Sequence, residues 1–267
     1  MNVSGKIYEL KREEMYRIAP LFANCQETPV WSCLQGYMGH AWTDHIGEPV
    51  SAQIMTGDFC FFAGLPNIEL IKNVPEYFLS EYLLMIPQDE AWEALIRQYY
   101  KKDAEKFTRY AIKKEPGIFR IEVLTDYVKS LSGEYGLKRI DEEIYRQSGL
   151  EEWSKDLCSQ FPSYNNYSRS GIGYAVVHEG RLVSGASSYT IYDKGIEIEI
   201  DTRPEYRRKG LARACASALI LECLKRGLYP SWDAANPESV ALSEKLGYHL
   251  DYEYVTFAVK NSKLHVT

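Results

Sequence analysis

The segment from residue 202 to residue 212, TRPEYRRKGLA, has the composition of an anion-binding turn. Three cations are followed by residues with little side chain: Arg207, Arg208, Lys209, Gly210 and Ala212. The small residues let a ligand approach the backbone closely. A helix is predicted to begin at Leu211, and its first N–H groups and positive dipole end face the same place. The spacing predicts a phosphate-binding turn between a strand and a helix. A basic surface loop before an ordinary helix would share the R-x-x-G-x-A pattern, so the flanking residues must distinguish the two interpretations.

Alternating carboxylates precede this turn. In IEIEID, from residue 196 to residue 201, strand alternation places Glu197, Glu199 and Asp201 on one face and the isoleucines on the other. Partly buried like charges favour proton uptake, which suits a base that accepts a proton from an ammonium substrate. The same face could instead bind a cationic amine directly, or it could be the solvated side of a half-buried strand. Glu197 and Asp201 are the expected catalytic residues, with Glu199 in reserve.

A second motif lies downstream, WDAANPESVALSEKLGY from residue 232 to residue 248. Taken with the turn, it resembles the GCN5-related N-acetyltransferase (GNAT) family. The resemblance extends from about Leu137 to Val259 and is strongest from Glu197 to Tyr248. In that family the R-x-x-G-x-A turn binds the pyrophosphate of coenzyme A, and an asparagine and a K-L-G-Y helix end flank the pantetheine arm.

The resemblance implies an acyl-coenzyme A site and the transfer of an acetyl group to an amine. It also implies that backbone N–H groups near Asp201 and Thr202 hold the thioester oxygen. The residues expected to contact acetyl-coenzyme A are Ile200, Asp201, Thr202, Arg207, Arg208, Lys209, Gly210, Leu211, Ala212, Asn236 and Ser239.

The chain departs from the family where many members have a tyrosine that protonates the departing thiolate. The corresponding residue is Ser243, which is a poor proton donor at neutral pH. Water, Tyr248 or Tyr252 are the alternatives, although packing is the favoured role for Tyr248. The missing tyrosine also leaves open a catalytically silent acyl-coenzyme A-binding regulatory module.

The segments PEYRRKGLA and LYPSWDAAN resemble more narrowly the subfamily that includes the zwittermicin A resistance protein. That likeness implies a small-molecule amine as acceptor. A protein-modifying acetyltransferase is the further alternative.

The elements that position these residues form a mixed α/β fold. We predict strands at 172–178, 182–191, 196–202, 228–232 and 248–259, with helices at 141–149, 151–161, 211–226 and 238–246. Glu179 and Gly180 predict a tight hairpin. A polar loop is expected at 163–173, and a strand at 119–124 followed by a helix capped by Thr125 or Asp126. The pattern predicts one βαβ crossover within a GNAT fold at 131–267.

Residues 1–130 carry no catalytic motif, but their order of elements faintly repeats that of the C-terminal half. A hairpin is predicted at 43–64, a strand at 82–86, and a helix capped by Asp89. This half is expected to be a degenerate copy of the fold that walls the substrate cleft, provided that it has a mixed sheet. Aromatic residues would line the wall or simply form a core: Trp31, Tyr37, Trp42 and 59–62.

Bulk properties exclude several classes of function. A formal net charge of −6 argues against nucleic-acid binding. The sequence shows neither a signal peptide nor an apolar run long enough to span a membrane, so a cytoplasmic enzyme is expected. Six cysteines without a C-x-x-C pair are expected to be reduced core thiols. His40, Asp44 and His45 do not have the usual spacing of metal ligands, so no metal is expected.

Overall fold

The computed structural model describes residues 5–76, 78 and 80–264. These form two compact units, the first comprising 5–109 with 254–264 and the second comprising 110–253. The predicted mixed α/β fold is confirmed. In the part of the chain described, no helix is long and apolar enough to cross a membrane.

The N-terminal elements, in chain order, are β1 (Tyr8–Glu9), α1 (Thr28–Leu34), β2 (His40–Thr43), β3 (Ser51–Thr56), β4 (Phe59–Gly64), α2 (Ile68–Lys72), β5 (Tyr82–Ile86), α3 (Glu90–Tyr100) and β6 (Ala104–Ile112). The elements that follow are α4 (Ile121–Lys129), β7 (Gly136–Arg139), α5 (Glu142–Ser148), α6 (Tyr164–Ser170), β8 (Gly173–His178), β9 (Arg181–Tyr192), β10 (Gly195–Thr202), α7 (Leu211–Lys225), β11 (Tyr229–Ser231), β12 (Asp233–Ala234), α8 (Pro237–Lys245) and β13 (Leu250–Lys260). The boundaries between the units fall within β6 and β13.

The first unit contains a mixed sheet with the strand order β1-β2-β3-β4-β5-β13. β4 and β5 are parallel, and the other neighbours are antiparallel. The predicted hairpin turn is confirmed, because Asp44 Oδ1 accepts the N–H groups of Val50 and Ser51 at 3.1 and 3.0 Å. The strand at 82–86 and the Asp89 cap are also confirmed. The mixed sheet meets the condition for a second, degenerate copy of the fold, which itself stays a prediction. The predicted domain boundary at residue 130 also stays a prediction.

Half of the aromatic residues proposed as a cleft wall lie in the core of the first unit. Trp42, Phe61 and Phe62 are buried, whereas Tyr37 is 46% exposed. The two histidines weighed as metal ligands have other partners. His40 Nδ1 lies 2.9 Å from Glu9 Oε1, and His45 Nδ1 accepts backbone N–H groups within its own turn.

The second unit is built on a five-stranded sheet with the order β11-β10-β9-β8-β7. Only the β10–β11 pair is parallel, and α7 connects these two strands, so the predicted βαβ crossover is confirmed. The isoleucines of β10 pack with α7 in one core, as the alternation predicts. The hairpin at Glu179 and Gly180 is also confirmed, since both residues have the positive φ (49° and 76°) of a tight turn.

Three local predictions are wrong. Residues 119–124 do not form a strand, because the apolar spacing belongs to α4, which buries Leu124 and contains both Thr125 and Asp126. The predicted polar loop at 163–173 contains α6, whose N-terminus is capped by Ser163 and which buries Tyr167. The helix expected at 151–161 is a single 3₁₀ turn, Lys155–Leu157.

The cysteines agree with the expected thiols. All six are unbridged, and only Cys25 is not fully buried. Burial raises the pKa of Cys215 and Cys223 to about 12. These thiols are therefore inert at neutral pH.

Candidate acyl-coenzyme A site

β10 separates from its parallel neighbour halfway along its length. The pairing with β11 runs from Gly195 to Glu197, while the pairing with β9 continues to Thr202. Beyond Trp232 the chain pairs instead with β6, through β12. Within the described residues, the second half of β10 therefore has a strand on one side only.

The backbone groups along this edge follow from the ladder. Arg203 N donates to Val183 O at 2.9 Å, which sets the alternation of N–H directions along β10. Counting back, the N–H and C=O groups of Ile198, Ile200 and Thr202 point away from β9. The register of Glu197 with Ser231 directs the Ile198 N–H to β11, so the edge beside the separation begins at the Ile198 C=O. A ligand lying against β10 would meet peptide groups there.

The predicted phosphate-binding turn joins this edge to α7. Gly210 has φ 81° and is the N-cap of α7, while Arg208 has φ 61°. No side chain of the described residues caps α7, and the first helical hydrogen bond runs from Ala214 N to Gly210 O. The N–H groups of Leu211, Ala212 and Arg213 therefore precede the helical ladder. Two left-handed residues before a helix N-terminus orient backbone donors towards one anion.

The three cations of the turn differ in their contacts. Arg207 is tied to the end of β10, since its Nε donates to Thr202 O at 3.1 Å. Lys209 Nζ lies 4.9 Å from the centre of the Tyr206 ring, and Arg208 is exposed. The Tyr206 hydroxyl is 3.1 Å from His178 Nδ1, which braces this ring beside the turn. Arg208 and Lys209 are thus the cations best placed to meet a phosphate.

Asp201 connects the strand end with the turn. Its Oδ1 accepts the N–H of Thr202 at 2.6 Å and lies 3.4 Å from an Arg207 guanidinium nitrogen. Burial raises the pKa of Asp201, outweighing the Thr202 N–H and the Arg207 charge, which lower it. The Thr202 hydroxyl is buried and lies 2.7 Å from Ser184 Oγ. The expected thioester-binding N–H of Thr202 is therefore engaged within the chain.

The carboxylate face divides into a buried and a half-buried part. Glu197 is 7% exposed and lies where β10 and β11 separate. Glu199 and Asp201 are half-buried. Across the β9 ladder, Glu197 faces Thr190, and Glu199 faces Ser187. The face is neither fully solvated nor uniform, and Glu197 is its most enclosed carboxylate.

Three tyrosines lie near enough to Glu197 for its charge to raise their pKa values. Burial is the largest cause for each of them: it raises the pKa of Tyr192 to about 12, and it raises the pKa of Tyr248 as well. Tyr229 is the third. All three remain neutral hydroxyls at physiological pH, so these tyrosines add no charge to the surroundings of Glu197.

Two predicted coenzyme contacts form a helix cap. Asn236 Oδ1 accepts the N–H of Ser239 at 2.8 Å at the start of α8. Ser239 Oγ accepts from Trp232 Nε1 at 3.0 Å. The cap fixes where α8 begins beside the end of β11. The structure thus places Asn236 at the N-cap of α8, just after β12, with its side-chain oxygen already bonded.

The candidate proton donors differ in burial. Ser243 is fully buried, and its Oγ donates to Val240 O at 2.8 Å. Tyr248 is 1% exposed, and its hydroxyl donates to Pro230 O at 2.5 Å. These contacts support the packing role expected for Tyr248. Tyr252 is 45% exposed.

Replacing Tyr248 with phenylalanine is expected to lower the free energy of unfolding by about 1 to 2 kcal/mol, because the buried Pro230 carbonyl loses its donor. Urea denaturation measures this loss. Exposed Tyr252→Phe is the control and is expected to change the free energy by less than about 0.5 kcal/mol. A stable Tyr248→Phe protein without transferase activity would instead identify this hydroxyl as the acid.

Sequence reasoning missed two residues that support the site. Ser184 bonds the Thr202 hydroxyl, and Thr190 stands opposite Glu197. A register shift between Glu197 and Ile198 separates the two pairings, so simple alternation along β9 could not have placed them.

Known proteins resemble this chain over much of its length. Residues 19–257 match the GNAT acetyltransferase family model. The chain is 30% identical over 182 residues to the N-acetyltransferase YdfB of Bacillus subtilis (strain 168), a match that covers 67% of this chain and 66% of that protein. An 88-residue match at 30% identity to ribosomal protein bS18-alanine N-acetyltransferase of Escherichia coli (strain K12) covers 32% of this chain and 60% of that enzyme. Both matches span less than two thirds of the relative's length.

Solved structures extend the likeness to nearly the whole chain. A GCN5-related N-acetyltransferase-like protein from Streptococcus suis 89/1591 is 42% identical, with a TM-score of 0.87 over 93% of this chain and 99% of that chain. A tandem GNAT protein from the clavulanic acid biosynthesis pathway is 12% identical, with a TM-score of 0.58 over 96% of this chain and 98% of that chain. The second likeness concerns the fold alone.

Proposed function

Because the chain belongs to the GNAT acetyltransferase family, we propose that it transfers the acetyl group of acetyl-coenzyme A to the primary amine of a small molecule. The observation that carries the proposal is the separation of β10 from β11 beside an uncapped helix N-terminus. One end of this arrangement suits a pyrophosphate, and the other presents a buried carboxylate.

The pyrophosphate would lie on the turn before α7. Its oxygens would accept from the N–H groups of 211–213 and meet the charges of Arg208 and Lys209. Arg207 would act mainly by holding the turn against Thr202, in keeping with its hydrogen bond there. Space supports this assignment, since a Cβ built on Gly210 meets only Arg213 Nη2, at 3.7 Å.

The pantetheine arm and the thioester would follow the unpaired edge of β10. The Ile198 C=O and the peptide groups of Ile200 point into the separation. An N–H directed at the thioester oxygen would stabilise the negative charge that develops during attack. Thr202 N–H is engaged with Asp201, which moves this proposed role towards Ile200. Asn236 and Ser239 would border the arm from the start of α8.

Glu197 is the proposed general base. The ammonium of the acceptor gives a proton to Glu197, and the neutral nitrogen attacks the thioester carbon. The new C–N bond forms as the C–S bond breaks. The nitrogen then loses a second proton. Of the two protons released by the acceptor, one protonates the thiolate through water, and the other leaves to solvent. Asp201 remains the second candidate, although its contacts with Arg207 and Thr202 favour a role in holding the turn.

Water is the proposed donor to the coenzyme A thiolate. Ser243 and Tyr248 are buried and already donate to backbone carbonyls. A thiol has a reference pKa of about 8.5, so the thiolate is a tolerable leaving group without a dedicated acid. A serine at position 243, in place of the tyrosine of many family members, is thus compatible with turnover as well as with a catalytically silent module.

A small-molecule acceptor is supported by the likeness of PEYRRKGLA and LYPSWDAAN to the zwittermicin A resistance protein subfamily. The N-terminal amine of a protein is the second candidate acceptor. The 88-residue match is to an enzyme whose name gives an alanine of ribosomal protein bS18 as its acceptor. Release of free thiol from acetyl-coenzyme A, measured across small primary amines and N-terminal peptides, separates these acceptors. Activity confined to the peptides would overturn the small-molecule assignment.

Calorimetric titration with acetyl-coenzyme A tests the donor site independently of the acceptor. We expect one binding event per chain and competition by coenzyme A. If no heat of binding appears for a folded protein, the donor assignment fails.

A further inference from the structure

A buried hydroxyl stands opposite the proposed base. Thr190 on β9 and Glu197 on β10 are direct partners across the antiparallel ladder. Their Cβ atoms are therefore about 4.5 to 5.5 Å apart, within reach of a shared hydrogen bond or of one bridging water. Thr190 is 0% exposed and Glu197 is 7% exposed. Thr190 thus lies beside Glu197 on the same face of the sheet, out of contact with solvent.

The Thr190 hydroxyl is unusual for a core side chain. Its Oγ1 has no hydrogen-bond partner among the residues that the structure describes. Buried hydroxyls are normally bonded to protein or water, and exceptions point to function or to a bridging group. The nearest polar side chain by register is the Glu197 carboxylate.

The ladder is also irregular at this point. Glu197 pairs with Thr190, but Ile198 pairs with Ser188, so Tyr189 is an extra residue in β9. Such a bulge bends its strand and redirects a side chain, and bulges are enriched next to active sites. The irregularity lies immediately where β10 leaves β11, after Glu197.

We propose that Thr190 is a positioning residue for Glu197. The Thr190 hydroxyl donates a hydrogen bond to the carboxylate, through one bridging water or by direct contact in the reacting complex. The proposal rests on the proposed function of Glu197 as the base. The bond holds the carboxylate towards the strand separation and favours its charged form. Thr190 itself touches neither substrate.

The other groups near Glu197 have contacts of their own. Tyr192 bonds Ser231, Tyr248 bonds Pro230 O, and Tyr229 bonds the backbone of 113 and 115. Burial keeps these three phenols neutral. Glu199 and Asp201 are the charged residues on the same strand face. None of these groups changes when Thr190 is replaced.

Thr190→Val removes the hydroxyl at constant shape. We expect kcat to fall about fivefold to twentyfold, because the carboxylate loses a charge-assisted hydrogen bond. The acidic limb of the pH profile of kcat is expected to move up by about 0.5 to 1 pH unit, since the charged base is less stabilised. Thr190→Ser keeps the hydroxyl and should restore the wild-type profile. The KM for acetyl-coenzyme A should not change.

A matched control separates this role from simple burial. Thr256 in the first unit is also fully buried, with an Oγ1 that lacks a hydrogen-bond partner in the described part of the chain. Thr256→Val should leave kcat and its pH profile unchanged. If Thr190→Val does not fold, as judged by circular dichroism, Thr190→Ala gives the same test without the added methyl group.

A double-mutant cycle with Glu197→Gln decides the coupling. In the Glu197→Gln background, Thr190→Val should change kcat less than twofold. An equal loss in both backgrounds, or an unmoved pH profile, would overturn the Thr190 role alone. Full turnover by Glu197→Gln would overturn the proposed base and with it the Thr190 role, so the two failures are distinguishable.

Discussion

Replacing Gly210 with aspartate is expected to weaken acetyl-coenzyme A binding about a hundredfold or more. Gly210 is the N-cap of α7, where a pyrophosphate would accept from the first N–H groups of the helix. The new carboxylate would occupy that position, compete for the same donors and repel the phosphates. Calorimetric titration measures the loss of affinity directly.

The other end of the same helix supplies the control. Gly227 follows α7 with φ 70°, close to the 81° of Gly210, and has nothing within 4 Å of a built Cβ. Gly227→Asp therefore carries similar backbone strain without touching the proposed site. Gly210→Asn, which tolerates the left-handed conformation and adds no charge, should bind better than Gly210→Asp. Unchanged affinity in a folded Gly210→Asp protein would refute the turn assignment.

Replacing Glu197 with glutamine should lower kcat about 100-fold to 1,000-fold, while acetyl-coenzyme A still binds. A positioned general base typically contributes a factor of this size. The amide keeps the shape of the buried side chain but cannot accept the proton of the ammonium. Steady-state thiol release and calorimetry on the same preparation separate turnover from binding.

Glu199→Gln is the matched control, because it makes the same change on the same face of β10, where the side chain is half-buried. It should retain turnover within about threefold. A larger loss for Glu199→Gln than for Glu197→Gln would move the base two residues along the strand.

Much of the second unit could be predicted because long patterns agree there. Alternating isoleucines and acidic residues define β10, and α7 is bracketed by a basic turn and a glycine. The turn residues Glu179 and Gly180 predicted the antiparallel pairing of β8 with β9. Consistent local signals of this kind leave few competing folds.

The missed elements are short and polar. α6 contains mostly Tyr, Asn and Ser, yet Tyr167 is buried and its hydroxyl lies 2.8 Å from Ser187 Oγ. Tertiary packing, rather than helix propensity, stabilises such a segment. At α4, a six-residue apolar pattern fitted a strand as well as a helix. β6, β7 and α1 had no pattern strong enough to predict.

The sequence predicted which residues form the candidate site better than it predicted the role of each residue. Alternation identified the carboxylate face, but not that Glu197 alone is enclosed, or that Asp201 bonds Thr202 and Arg207. Those facts depend on the separation of β10 from β11 and on a bulge in β9. Both are consequences of pairing between distant segments, which a single sequence does not display.

Coenzyme binding and acetyl transfer are separable properties of this protein, and acetyl transfer is the one that defines the proposed enzyme. Its most direct test is amine-dependent release of free thiol from acetyl-coenzyme A by the wild-type protein, with the acetylated product identified by mass spectrometry. We predict thiol release that depends on a small primary amine and equals the acetylated product formed. Saturable binding of acetyl-coenzyme A without release by any amine or N-terminal peptide would contradict the account and leave a silent binding module.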